Sequence, residues 1–218
     1  MNKFKAVIFD FDGTFIDSGE GIRNCVEYAL EKHNIPVGDK GKLNYFIGPP
    51  LNVGFSDMYG ASPKQCDSLI ADYRDRYEEI GVYESQIYNG MVELVKKLKK
   101  NSVKVGVASS KPTYFINKIL NHMSLTDLFD TVVGTQLDNH NADKTVLINT
   151  ALENLQIVDK KSCIMVGDRL YDVNGAKGAG ILSVGVLYGY GSKAELEEAG
   201  ADFLAQDVTE LNKILLNI

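Results

Sequence analysis

The chain is poor in the residues that build disulfide frameworks and soft-metal sites. Its three cysteines, Cys25, Cys66 and Cys163, are odd in number and follow no metal-ligand or redox spacing, so they are expected as reduced thiols in the core or at the surface. His33, His122 and His140 are equally scattered. No apolar run reaches the ~18 residues of a membrane-spanning helix. The N-terminus runs straight into a strand without the layout of a secretory signal, so the expectation is a cytoplasmic protein with no membrane partner. Positive charge is short as well. Lysine and arginine number 23 against 29 acidic residues, a formal net charge of -6. That balance disfavours nucleic acid as a partner while leaving room for local cations around a phosphate.

What is present is enough apolar material for a packed core, at 44% hydrophobic over 218 residues, in one large or two small domains. The most informative stretch is FKAVIFDFDGTFIDS, Phe4 to Ser18. Ala6 to Phe9 form an apolar run suited to a strand buried on both faces. Asp10 and Asp12 follow at its end, aimed to one side by period-two alternation. Gly13 and Thr14 break the strand. Two acids one residue apart can hold a divalent cation through carboxylate and main-chain oxygens above a tight glycine turn, or can be solvated aspartates at a strand end.

After Ser18 the period becomes helical. Ile22, Cys25, Val26, Ala29, Leu30 and His33 form one amphipathic helix, ended by Asn34 and Pro36. Leu69, Ile70, Tyr73, Tyr77 and Ile80 form a second, opened by Ser62 as cap and Pro63. Between them lie the Gly48-Pro49-Pro50 turn and a short helix. From Gly90 onward helices and strands alternate. Strands are expected at 103–108, 131–134, 163–166 and 182–186, with an edge strand near 201–204. Helices are expected at 91–98, from Lys111 and Pro112 onward, at 144–155, at 172–178, and at 192–198 behind a Ser192 and Glu195 capping box. This alternation argues for an α/β fold with a doubly wound parallel sheet, which binds ligands at the carboxyl ends of its strands.

Three further groups fall at such ends. Ser109 and Ser110 close the strand in VGVASSKP, where hydroxyls and free N–H groups suit a phosphate, or a helix cap. Lys144 stands at a helix start, against the preference of cations for helix C-termini. Asp168 leaves a strand in VGDRLYD, and Asp172 lies about one turn on, able to face the same ion or to cap a helix.

DFDGTFIDS resembles the first motif of the haloacid dehalogenase superfamily, D-x-D-G-T-x-x-D-S, in its phosphatase form, with Phe15 where leucine is commoner. Ser109, Lys144, and Asp168 with Asp172 are similar to its second, third and fourth motifs, in order across nearly the whole chain. The resemblance implies a Rossmann-like core of residues 1–18 and 84–218 with an all-helical cap, 19–83, hinged near 17–19 and 82–89, with Gly19 and Gly81 as flexible points. It implies hydrolysis of a small phosphomonoester with Asp10 as nucleophile and Asp12 as general acid and base. Mg2+ would be held by Asp10, the main-chain oxygen of Asp12, Asp168 and Asp172. Phosphate would be held by Ser109, Ser110, Lys144 and Gly13. IGPPL, SKP and GVLYGYGSKAEL resemble the phosphoglycolate phosphatase-like group, which includes enzymes acting on nucleoside 5'-monophosphates; Asn89 departs from the proline common before Gly90. Leaving-group contacts are expected at Gly48, Pro49, Pro50, Leu51 and Arg23, which read equally as a structural turn and a solvated charge. The alternatives are a sugar phosphomutase and a phospho-aspartate signalling protein. The expected state is a monomer or weak homodimer.

Overall fold

Period-two alternation along the first strand, β1 (Ala6–Phe9), decides which core each side chain joins: Val7 and Phe9 enter the larger one, Ala6 and Ile8 the smaller. The structure, a computed structural model, describes residues 4–137 and 143–216; His140 lies outside them. After β1 come β2 (Ile16–Asp17), α1 (Gly19–Lys32), α2 (Leu51–Tyr59), α3 (Pro63–Glu79), β3 (Gln86–Ile87) and α4 (Met91–Lys100). Then follow β4 (Lys104–Pro112), α5 (Thr113–His122), β5 (Thr131–Thr135), α6 (Lys144–Asn154), β6 (Cys163–Gly167), α7 (Leu170–Ala179), β7 (Leu182–Val186), α8 (Lys193–Glu198), β8 (Phe203–Ala205) and α9 (Val208–Leu216).

The main sheet has six strands in the order β5-β4-β1-β6-β7-β8, and every pairing is parallel. Ala6 lies opposite Lys104 on one side and Cys163 on the other, so β1 is a fully paired inner strand. The α6 and α7 helices pack on one face through Ile148, Ala151 and Ala176, over Ala6, Ile8 and Met165. The opposite face carries α4, α5 and α9 over Val7, Phe9, Val105 and Val166. This is the doubly wound arrangement expected, with β1 at its centre and the carboxyl ends of β1, β4 and β6 side by side. Among the described residues no helix is long and apolar enough to cross a membrane.

Between β2 and β3 the chain leaves the sheet for α1, a 3-10 turn over Lys40–Phe46, α2 and α3. β2 and β3 themselves pair antiparallel, Ile16 opposite Ile87, and set the two ends of this excursion side by side. Neither strand is readable at two residues each. Small residues let the connections touch: a Cβ at Gly21 would lie 2.3 Å from the Gly81 carbonyl oxygen, and one at Gly81 2.5 Å from Cys25 Sγ. Ser62 and Gln65 form a reciprocal capping box at the start of α3, with Pro63 at its first position. All three cysteines are buried free thiols.

Three local expectations are corrected. Lys111 and Pro112 do not open a helix; β4 runs on through them with a register irregularity after Ala108, and α5 begins at Thr113. The α7 helix starts at Leu170, so Asp172 serves its end from inside, accepting from the Arg169 N–H at 3.1 Å. Ser192 caps α8 by accepting from the Glu195 N–H, but the Glu195 carboxylate turns away to Arg169. The edge strand expected near 201–204 is β8 at Phe203–Ala205, and the last helix, α9, was outside the sequence reading.

Phe9 is fully buried on the larger core face. Phe9→Ala is expected to lower the unfolding free energy by about 3–5 kcal/mol, read by urea denaturation with an unchanged m-value.

Candidate active site

The end of β1 is anchored before any side chain acts, because the Asp10 N–H donates to the Val166 carbonyl at 2.8 Å. This continues the ladder to β6 and puts the Asp10 carboxylate against the β6–α7 loop. There Asp168 and Asp172 bring oxygens that all lie within 4.8 Å of one another and of Asp10. Lys144 enters from α6, with Nζ 2.8 Å from Asp10 Oδ1 and 2.8 Å from Asp172 Oδ1. Its place at a helix start is thereby explained. Two buried carboxylate partners outweigh the adverse helix dipole, which is worth about 0.3–1 kcal/mol. The stem of the lysine also needs space beneath it: a Cβ at Gly175 of α7 would meet Lys144 Cγ at 2.7 Å.

Asp168 is fixed on both oxygens. The Tyr190 N–H donates to Oδ2 at 2.8 Å, and the Thr14 hydroxyl donates to Oδ1 at 3.3 Å. Gly13 passes beneath it with φ at +78°, and a Cβ there would lie 2.3 Å from Asp168 Oδ2. The Gly13 N–H donates to the Ile16 carbonyl at 2.8 Å, so Gly13 serves the turn, and the phosphate-donor role expected of it is not what this geometry offers.

Burial, with Asp172 adding repulsion against the pull of Lys144, raises the Asp10 carboxyl to about 6. Burial followed by repulsion from Asp172 and Asp10 raises Asp168 to about 8. For Lys144 burial works the other way, but the two carboxylates outweigh it and hold the ammonium above its ordinary range. Three buried carboxylates whose charge is not fully answered, offering hard oxygen donors only, suit a hard divalent cation such as Mg2+. The Asp12 carboxylate faces elsewhere. Lys111 Nζ donates to both of its oxygens, at 2.9 and 3.1 Å, which leaves Asp12 only its main-chain oxygen for an ion.

Above Asp10 lies a cleft lined by Asp12, Ser109, Ser110, Lys111 and Thr135 from the strand ends and by Ile22, Phe46, Tyr73, Arg74 and Tyr77 from the helical excursion. Gly48, Pro49, Pro50 and Leu51 line it too, where leaving-group contacts were expected. Arg23 does not. It donates to Asn44 Oδ1 at 3.0 Å and lines a separate depression with Glu27 and Lys40.

Residues 7–186 match the model of the haloacid dehalogenase-like hydrolases. The chain belongs to this family. It is similar in structure to a predicted phosphatase from Clostridium acetobutylicum, with a TM-score of 0.93 and 41% identity over 99% of both chains. It is 33% identical to a 5'-nucleotidase of Pseudomonas aeruginosa, covering 98% of this chain and 96% of that one. It is also 30% identical to the tyrosine-protein kinase PtkA of Mycobacterium tuberculosis, over 96% of this chain and 72% of that one.

This hydrolase contains site residues that the sequence reading missed. Lys111 is nearly buried, grips Asp12, and stands 4.7 Å from the ring centroid of Tyr77. Its own N–H donates to the Ser109 hydroxyl at 3.3 Å. Reading Lys111 and Pro112 as a helix start hid it, and its partner is 99 residues away. Tyr190 and Arg169 were passed over in the same way. No pattern in the chain marks a backbone N–H as the partner of a carboxylate 22 residues distant.

The raised carboxyls set a pH dependence for the metal-free hydrolase. A carboxyl whose folded pKa lies above its unfolded value stabilises the fold fully below the unfolded value, near 4, and that contribution is lost as pH rises through the folded values near 6 and 8. In chelator, the melting temperature should therefore fall between pH 5 and about 8.5, and Asp168→Asn should flatten this fall. Added Mg2+ should raise the melting temperature more at the alkaline end, where the carboxylates are ionised.

Proposed function

We propose that the chain is a phosphatase that hydrolyses small phosphomonoesters through a phosphorylated Asp10. One observation carries this reading: Asp10 belongs both to the acidic cluster with Asp168 and Asp172 and to the lining of the cleft. A nucleophile is needed at that junction, between a cation site and a substrate site. Asp10 would attack phosphorus and split one displacement into two easier ones. Asp12, on the cleft side, would protonate the leaving alcohol and then take a proton from the attacking water. Lys144 would neutralise Asp10 and an equatorial phosphate oxygen, and the Ser109 hydroxyl, with the strand-end N–H groups about Ser110, would hold the others. Asp10, Asp168 and Asp172, with the main-chain oxygen of Asp12, would hold Mg2+, which when bound offsets the repulsion between an anionic nucleophile and an anionic phosphate.

The walls favour one substrate class. Ile22, Phe46, Tyr73, Tyr77 and Phe115 give the cleft an apolar, largely aromatic portion beside its polar strand-end groups. Such walls suit a flat ring on the leaving group. That fits a nucleoside 5'-monophosphate better than phosphoglycolate, and agrees with the similarity to a 5'-nucleotidase. A second reading, transfer to an acceptor other than water as in a phosphomutase, is kept open by the similarity to a protein named as a kinase. Release of free phosphate, screened over phosphomonoesters with Mg2+ and with chelator, separates the two.

Asp10→Asn should remove nearly all turnover with the fold intact. Asp12→Asn should slow alkyl esters by about 10²–10⁴-fold and aryl esters, whose leaving group needs no proton, far less. Equal losses on both ester types would contradict the separate roles.

We further propose that residues 19–83 are a cap and that residues 1–18 and 84–218 are the catalytic core. The excursion begins and ends at the β2–β3 pair, and its helices α1 and α3 pack on each other. Replacing residues 20–80 by a short linker should leave a folded core that hydrolyses an aryl phosphate weakly and no longer selects among natural esters. An unfolded product would contradict the division.

A further inference from the structure

The Arg169 side chain takes no part in the chemistry above, yet it ties the loop between β6 and α7 to the segment that precedes the Gly48 turn. It stands between Asp168 and Asp172 in sequence, and its N–H donates to Asp172 Oδ2. Its side chain is locked at the base, because Nε donates to Glu195 Oε1 at 2.8 Å and the same oxygen accepts from the Leu170 N–H at 2.9 Å. This is why Glu195 leaves the capping box expected of it. From that base the guanidinium reaches across, and Nη1 donates to the Ile47 carbonyl at 2.7 Å. A fork with several fixed donors can hold two acceptors at once; an ammonium cannot do so in the same geometry.

The residue it meets introduces the turn that walls the cleft. Gly48 follows Ile47 with φ at +105°, and a Cβ on it would lie 3.2 Å from Arg169 Cγ and 3.2 Å from Nη1. Glycine suits the backbone angle there, and its missing Cβ leaves room for the arginine. Pro49 and Pro50 come next, each with a fixed φ and no N–H, and lead directly into α2. A segment so stiff moves as one piece. Wherever the Ile47 carbonyl is held, Gly48, Pro49, Pro50 and Leu51 are placed with it, and these four line the cleft beside Asp12.

We infer that Arg169 is a specificity-determining positioning residue: it fixes the 47–51 wall of the cleft against the loop that carries Asp168 and Asp172, and so sets which leaving groups fit. The inference rests on the phosphomonoesterase reading for its substrate, and on the hydrogen bonds alone for the wall. Its test has two arms accordingly. In Arg169→Gln, amide exchange in the peptide spanning residues 44–54 should quicken roughly tenfold or more, the loss of a charged hydrogen bond, while β1 and β6 keep their protection. In steady state, KM for adenosine 5'-monophosphate should rise about tenfold and KM for ethyl phosphate by less than about threefold, with kcat for both held within about threefold. Arg169→Lys, which keeps the stem over Gly48 and can hold only one of the two acceptors, should fall between wild type and Gln in both arms; it decides the matter should the Gln variant fail to fold. Unchanged exchange over residues 44–54 overturns the inference. So does a fall in kcat of equal size for both esters with KM untouched, which would mark a merely structural role. If wild type hydrolyses neither ester, the nucleoside 5'-monophosphate reading fails, and the exchange arm still decides whether Arg169 holds the wall.

Discussion

Three carboxylates gathered at the end of a buried strand repel one another, and the structure around them is arranged to hold them together regardless. Lys144 bridges Asp10 and Asp172, the Tyr190 N–H and Thr14 hydroxyl clamp Asp168, and the Arg169 N–H takes the other oxygen of Asp172. Even so, burial leaves Asp10 and Asp168 well above the ordinary carboxyl range. Carboxyls held this far from their ordinary range by burial and mutual repulsion mark a candidate functional site. The glycines follow from the same constraint. Gly13 lies under Asp168 and Gly175 under Lys144, each at a place where a single added carbon would displace a charged group.

The doubly wound sheet supplies this cluster with rigidity that loops alone would lack. β1 is paired on both sides, and its last backbone donor is spent on β6, so Asp10 cannot drift relative to Asp168. Ala151, Ala176 and Ala179 are among the residues by which α6 and α7 pack over Ala6, Ile8 and Met165, and these helices carry Lys144 and Asp172. The helical excursion faces the same strand ends and joins the larger core through Tyr77 against Phe115, with polar ties from Arg169 to Ile47 and from Tyr114 and Lys118 to Glu78.

The fold class, the position of each main strand and the four charged or hydroxylic anchors were legible in the chain because each depends on local pattern. An apolar run of four residues followed by an acid is a buried strand ending in a carboxylate, wherever the chain goes next. Asp10 and Asp168 stand just past such ends, Ser109 lies in the last residues of β4 and Lys144 opens α6, so the parallel topology brings them to one edge of the sheet. The capping of α3 by Ser62 and Gln65 was readable for the same reason, since donor and acceptor are three residues apart.

What the tertiary structure alone decided is which group each charge answers. Lys111 looked like part of a helix start because Pro112 follows it, and only the continuation of β4 and the approach of Asp12 from β1 give it a role. Glu195 fitted a capping box by spacing, but a nearby guanidinium is a better partner for a carboxylate than a backbone N–H, so it turned to Arg169. Arg23 and the Gly48 turn were indistinguishable as candidates in sequence; folding put the turn in the cleft and the arginine against Asn44. Local pattern carries propensity and spacing, and those settle secondary structure and strand ends. Partnership between charges is settled by distance across the fold, which neighbouring residues in the chain do not encode.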